Sequence, residues 1–140
     1  MTRLEHINMT VPDIDAALAF LAIVAPDYKV RKDIKPKEGH RWVHIGNNQS
    51  YLALQEPHID AESPNQFHQT YRNYGINHIG LVVSHLDMIE QRLTDEGYRR
   101  GIGAPKETHR KRVYFFDQAG FEWELTEYIS DHPDEMYLYE

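Results

Sequence analysis

Two histidines, His6 and His78, occupy equivalent places in two copies of one pattern, and a carboxylate, Glu124, falls near the end of the second copy. Leu4-Glu5-His6-Ile7-Asn8-Met9-Thr10-Val11 aligns without a gap on Ile76-Asn77-His78-Ile79-Gly80-Leu81-Val82-Val83, and the match continues through Asp15 and Asp87 to Leu21 and Leu93. Tyr51-Leu52-Ala53-Leu54-Gln55-Glu56 then aligns on Glu122-Trp123-Glu124-Leu125-Thr126-Glu127. A repeat over half a chain fixes the architecture, because each copy is one structural unit. It also pairs the two histidines by symmetry and sets a carboxylate near them. The chain has no cysteine, so a metal here must be bound by His, Asp or Glu.

The elements that must position these residues follow from hydrophobic period and turn chemistry. Residues 3 to 11 alternate polar and apolar, the period of a half-buried strand, with His6, Asn8 and Thr10 on one face and Ile7, Met9 and Val11 on the other. Asp13 is placed to cap a helix whose apolar stripe is Ile14, Ala17, Leu18, Leu21 and Val24. Strands are expected at Tyr28 to Ile34, Arg41 to Ile45 and Tyr51 to Gln55, separated by the turns Pro36-Lys37-Glu38-Gly39 and Gly46-Asn47-Asn48. The second copy repeats the order. Ile76 to Val83 is a strand, and Ser84 with Asp87 has the spacing of a capping box before a helix that buries Leu86, Ile89 and Leu93. Strands at Tyr98 to Ile102, Lys111 to Phe116 and Phe121 to Tyr128 complete it, the last pair joined by Asp117-Gln118-Ala119-Gly120. Between the copies, Ser63, Pro64 and Gln66 read as the start of a short helix through Phe67 and Tyr71. The tail from Ser130 is acidic but carries Met136, Tyr137, Leu138 and Tyr139, and is expected to dock on the body or on a second subunit.

Bulk composition bounds the function. With 140 residues, 41% hydrophobic and 11% aromatic, the chain can build one compact domain from two halves. A net charge of -7 argues against a nucleic-acid surface, which needs clustered Lys and Arg. The basic cluster His109-Arg110-Lys111-Arg112 reads either as an attractor for a small anion or as a solvated strand end. No apolar run approaches the ~18 residues of a membrane span, and no basic start precedes an apolar stretch, so a soluble cytoplasmic protein is expected.

The pattern βαβββ, twice, with these histidines, resembles the vicinal oxygen chelate superfamily. That superfamily includes glyoxalase I, extradiol dioxygenases, methylmalonyl-CoA epimerase, fosfomycin-resistance thiol transferases and bleomycin-binding proteins. The resemblance runs from Leu4 to Tyr128 and is most specific at Leu4-Glu5-His6-Ile7, Ile76-Asn77-His78-Ile79-Gly80 and the run from Val113 to Leu125. It implies an α+β fold of two tandem βαβββ modules forming a curled mixed sheet around a cleft. It also implies one divalent metal held by His6, His78 and Glu124, a small-molecule ligand and a homodimer.

Residue chemistry agrees with that implication. Imidazole nitrogen and carboxylate oxygen together suit zinc, manganese, iron(II), nickel or cobalt. Two His and one carboxylate leave coordination positions open for a substrate. Strand parity places Glu124 on a face with Glu122 and Thr126, opposite Trp123 and Leu125. A lone strand histidine is most often an ordinary half-buried side chain, but two at repeat-equivalent sites with Glu124 favour ligation. One feature departs from the family: glyoxalase I and the epimerase place a fourth ligand where this chain has Ala53. Gln55 shares its face but lies roughly 6 to 7 Å farther along. The expectation is therefore a three-ligand site and weak glyoxalase I activity.

Around the metal, parity is read as putting Arg112, Tyr114 and Phe116 on the cleft face, with Arg41, Val43 and Ile45 matching them in the first copy. The Tyr114 hydroxyl is the candidate to hold a metal-bound substrate oxygen, and Arg112 and Arg41 to meet a carboxylate or phosphate. Asn8 and Tyr51 are expected to line the same cleft. Glu122 is the candidate base. His40, His44, His58, His68, His85, His109 and His132 show no spacing for a second metal and are expected mostly at the surface. Three readings stand: Lewis-acid enzyme on a small oxygen-chelating substrate, metal-free sequestering protein of the bleomycin-resistance type, and structural or regulatory dimer.

Overall fold

The computed structural model describes residues 1–57 and 76–138. The chain divides into two compact units, of which these segments are the described parts. The expected linker helix through Phe67 and Tyr71 lies outside the described residues, as do His58, His68, Tyr139 and Glu140.

The first unit runs β1 (His6–Thr10), α1 (Ile14–Val24), β2 (Lys29–Ile34), β3 (Trp42–Gly46) and β4 (Tyr51–Gln55). Its sheet has the order β1-β4-β3-β2; β1 and β4 are parallel and the other pairs antiparallel. The Asp13 carboxylate accepts from the Ala16 N–H at 3.1 Å and starts α1, and Pro26 stands just past its end, where no helical donor is available. Ile14, Ala17, Phe20, Leu21 and Val24 of α1, with Met9, Val43, Ile45, Leu52 and Leu54 of the sheet, make the core. Each large side chain buried there contributes about 1.5–3 kcal/mol. The outer strand β2 is almost wholly exposed and carries Lys29, Arg31, Lys32 and Asp33, charges that discourage edge-to-edge pairing.

The second unit runs β5 (Ile79–Val82), α2 (Leu86–Asp95), β6 (Arg110–Phe116), β7 (Glu122–Tyr128) and α3 (Pro133–Met136). The order is β5-β7-β6, with β5 parallel and β6 antiparallel to β7. First and last strands of each unit are thus parallel neighbours, so the two units share the βαβββ-like plan of an α+β fold with mixed sheets. The expected strand at Tyr98 to Ile102 is reduced to one bridge, Arg100 to Phe115, with Gly101 donating to the Tyr114 carbonyl at 2.7 Å. A Cβ on Gly101 would lie 2.8 Å from the Tyr114 Cβ, so this close approach requires glycine, and Gly103 and Pro105 interrupt any longer ladder.

The start of α2 also differs from expectation. Its cap is His85, in the left-handed region at φ 60°, and no side chain of the helix caps it. Instead the Glu127 carboxylate accepts from the His85 and Leu86 N–H groups at 2.8 and 3.2 Å. A strand residue remote in sequence therefore replaces the local Ser84 box. Leu86 and Leu93 are buried, Ile89 half-buried, and Gly97 at φ 82° ends the helix. In the β6–β7 turn, Asp117 accepts from the Ala119 and Phe121 N–H groups at 2.9 and 3.1 Å and from the Trp123 indole at 3.2 Å. Burial pushes its carboxyl above the usual value. In the described part of the tail, the Tyr137 ring lies edge-on to Tyr128 at 6.2 Å.

Candidate functional site

The sheet face of the second unit carries the chemistry. Strand register sets Phe116 opposite Glu122, Tyr114 opposite Glu124 and Arg112 opposite Thr126, so these six side chains share a face. On the other flank, Gly80 of β5 is the partner of Glu124, and His78 immediately precedes β5. His78 Nε2 lies 3.0 Å from Glu124 Oε2, and the Tyr114 ring meets the imidazole edge-on at 5.4 Å. His78 and Glu124 are 26% and 16% exposed, open enough for an added ligand to reach them. Trp123, Leu125 and Phe115 point the other way and are fully buried. Rigid packing of that opposite face holds the polar one in place.

The other oxygen of Glu124 faces a chain of charges. Thr126 Oγ1 donates to Glu124 Oε1 at 3.3 Å, and Arg112 Nη1 lies 3.6 Å from the same oxygen. Arg112 Nε donates to Glu107 Oε2 at 2.8 Å, while Arg110 Nε donates to Glu107 Oε1 at 2.8 Å. The Arg110 and Arg112 guanidiniums hold the buried Glu107 carboxyl below its usual range. Arg112, expected to meet a substrate anion, is thus engaged by protein carboxylates. Lys111 pairs with Asp87, so the basic cluster His109-Arg110-Lys111-Arg112 is built into internal ion pairs. Glu122 is 4% exposed, and its Oε1 has no hydrogen-bond partner among the described residues. That oxygen sits 3.1 Å from where a Gly101 Cβ would be, which places the candidate base beneath the 99–101 segment.

In the first unit, His6 is opposite Tyr51, Asn8 opposite Ala53, and His44 and Trp42 opposite Ala53 and Gln55. His6 and Tyr51 stack with centroids 4.7 Å apart; His44 approaches Tyr51 at 4.9 Å, Trp42 approaches His44 at 4.9 Å, and the Arg31 guanidinium covers Tyr51 at 5.0 Å. His6 Nδ1 also contacts Glu5 Oε2 at 2.9 Å. Asn8 and Tyr51 therefore share the face of His6, as expected. Arg41, Val43 and Ile45 do not. Val43 and Ile45 are core residues, and Arg41 reaches Asp15 of α1 at 2.8 Å and Asp33 of β2 at 2.9 Å, pulling the Asp33 carboxyl below its usual value. The expected parity was one residue out of step, which exchanges the two faces of a strand. The register counterpart of Tyr114 is His44, and the alternation Trp42-Val43-His44-Ile45 carries that signal in the sequence. Glu107, in a loop without periodicity, leaves no comparable trace. His85 and His132 are exposed, and His40 and His109 half-buried. Within each unit, among the described residues, no three His, Asp or Glu side chains converge as a ligand set.

A sequence profile described as Glyoxalase/Bleomycin resistance protein/Dioxygenase superfamily matches residues 5–115, and the chain belongs to that superfamily. None of the curated proteins compared with it matches. Among solved structures, a glyoxalase family protein from Bacillus cereus is 14% identical with a TM-score of 0.72, over 93% of this chain and 96% of that one. Fosfomycin resistance protein FosX from Mesorhizobium loti is 17% identical with a TM-score of 0.64, over 99% of both chains. A Glu-to-Gln variant of FosX from Listeria monocytogenes, complexed with Mn(II) and 1S,2S-dihydroxypropylphosphonic acid, is 16% identical with a TM-score of 0.66, again over 99% of both. At these identities the likeness is one of fold. No helix among the described residues is long and apolar enough to cross a membrane.

Proposed function

We propose that the chain is a divalent-metal-dependent enzyme acting on a small oxygen-chelating substrate, with His6, His78 and Glu124 as metal ligands. The observation that carries this reading is the 3.0 Å approach of His78 Nε2 to Glu124 Oε2 on a half-open sheet face. An imidazole nitrogen and a carboxylate oxygen so close together form the donor pair that a borderline divalent ion takes, and the donor chemistry fits manganese, zinc, iron(II), nickel or cobalt. His6 is the third donor, supplied by the repeat-equivalent strand. When bound, the ion supplies Lewis-acid stabilisation to an oxyanion that develops on the substrate.

The chain's own residues do the rest. Tyr114, opposite Glu124, donates its hydroxyl to a substrate oxygen, and its ring fixes the rotation of His78. Asn8 and Tyr51 bind the substrate on the His6 face, and Glu122, on the same face as Glu124, is the base that takes the substrate proton. The fosfomycin-resistance fold likeness brings a phosphonate-like diol within the candidate substrate class.

Metal analysis of untagged protein, followed by Mn(II) titration of the wild type, His78→Ala and Glu124→Gln, tests this. Wild type takes up a divalent ion, to no more than one per chain. Each variant keeps its fold and loses affinity by more than the 10–100-fold typical of removing an outer partner. Metal-free wild type that cannot be loaded, or His78→Ala binding as tightly as wild type, overturns the proposal in favour of a sequestering protein.

A further inference from the structure

We infer that Arg112 and Glu107 are positioning residues for Glu124: Glu107 fixes the Arg112 guanidinium, and Arg112 holds one carboxylate oxygen so that the other is presented beside His78. This rests on the metal-ligand reading above and names the device that sets up its carboxylate. The division of Glu124 is explicit. Oε1 faces Thr126 at 3.3 Å and Arg112 Nη1 at 3.6 Å, and Oε2 faces His78 at 3.0 Å. A free carboxylate beside an imidazole rotates and can offer either oxygen or both. Fixing one oxygen restricts it to a single donor with a fixed direction.

Arg112 can do this because it is itself restrained. Its Nε donates to Glu107 Oε2 at 2.8 Å, and Glu107 is in turn gripped by Arg110 at 2.8 Å. The Glu107 side chain is only 7% exposed, so the pair is held by protein rather than exchanged with solvent. The planar guanidinium, with several donors in a rigid fork, can face two carboxylates at once; an ammonium group cannot do so with fixed geometry. Charge supports the same account. Glu107 balances one of the two guanidiniums of Arg110 and Arg112, and Arg112 faces Glu124 at 3.6 Å as its second carboxylate.

A purely coulombic role predicts unchanged binding in Arg112→Lys, which keeps the cation, and weaker binding in Glu107→Gln, which removes a nearby negative charge, so Arg112→Lys is the variant that distinguishes it from positioning. The two accounts therefore separate in one experiment: Mn(II) binding to wild type, Arg112→Lys and Glu107→Gln, by calorimetry and by the electron-spin resonance signal of free Mn(II), with thermal unfolding recorded for each. Both variants should bind with unchanged stoichiometry but about 10- to 100-fold more weakly, the range for a lost outer-shell partner. Glu107→Gln should do so although it touches no ligand oxygen. Arg112→Lys keeps the site charge and leaves Glu107 paired with Arg110, so it remains informative if Glu107→Gln unfolds. Unchanged or tighter Mn(II) binding in a folded variant, with only the melting temperature lowered, overturns the positioning role and leaves the metal reading intact. Wild type that takes up no Mn(II) overturns both.

Discussion

Tyr114 and Glu124 are register partners across β6 and β7, and the Tyr114 ring also rests edge-on against His78 at 5.4 Å. One aromatic residue thus touches the imidazole and stands opposite the carboxylate of the candidate ligand pair. The ring can act by filling space, while the hydroxyl can act only through an oxygen or nitrogen partner.

Tyr114→Phe separates the two. The variant should keep its fold and metal content while losing about 1–3 kcal/mol of ligand or transition-state binding, the cost of leaving a hydrogen-bonding partner unsatisfied. Kinetics, or calorimetry with the ligand, measures this. An unchanged constant returns Tyr114 to a packing role.

Methylglyoxal with glutathione should be turned over poorly. Ala53 has Asn8 and His44 as its register partners, and neither is a carboxylate that could stand in for a fourth acidic ligand. A glyoxalase rate like that of established glyoxalases, measured on purified protein, would contradict a three-ligand site.

Glu127→Ala removes the acceptor for two N–H groups at the start of α2, with no cap from the helix's own residues to replace it. Loss of a helix cap costs about 0.5–2 kcal/mol, and urea denaturation should report a destabilisation in that range. Ser84→Ala should have little effect, because Ser84 is not the cap.

Glu107 makes stability acid-sensitive. Arg110 and Arg112 hold its folded carboxyl below the unfolded value of about 4.3, so its contribution is complete above that pH and is lost as pH falls through the folded value. The difference in unfolding free energy between wild type and Glu107→Gln should therefore be constant from about pH 6 to 8 and shrink below about pH 4. A difference that stays flat into acid would show that the carboxylate charge contributes nothing.

The turn at Asp117 gives a larger effect. Asp117→Ala strips acceptors from the Ala119 and Phe121 N–H groups and from the buried Trp123 indole. An orphaned buried donor costs about 1–3 kcal/mol, so this variant should lose more stability than Glu127→Ala in the same denaturation assay.

Much of the plan was legible because it is local or repeated. The alternation of His6 to Thr10, the Asp13 cap, the apolar stripe of α1 and the self-similarity of the two halves all appear in the sequence, and the structure has the matching elements. Aligning β3 on β6 residue for residue exchanges the two faces of β3, because the register partner of Ala53 is His44 as that of Glu124 is Tyr114. The strand's own alternation, with Val43 and Ile45 apolar, had the answer, since burial of the apolar side decides register. The expected strand at Tyr98 to Ile102 shrinks to a single bridge because Gly103 and Pro105 cut its ladder short, and Gly101 is required where it passes close to Tyr114.

By itself the sequence determined which donor types a metal site could draw on, through the absence of cysteine, and the two-module α+β plan, through hydrophobic period and internal repetition. Tertiary structure decided which side chains meet. Glu127 caps a helix that begins 41 residues earlier. Glu107 grips Arg110 and Arg112 from a loop, and Arg112 Nη1 comes within 3.6 Å of Glu124 Oε1. These contacts depend on strand register and on where a loop crosses the sheet, which are set by packing of the whole unit. A charge pair between residues in a loop and on a strand has no period, so no local pattern announces it.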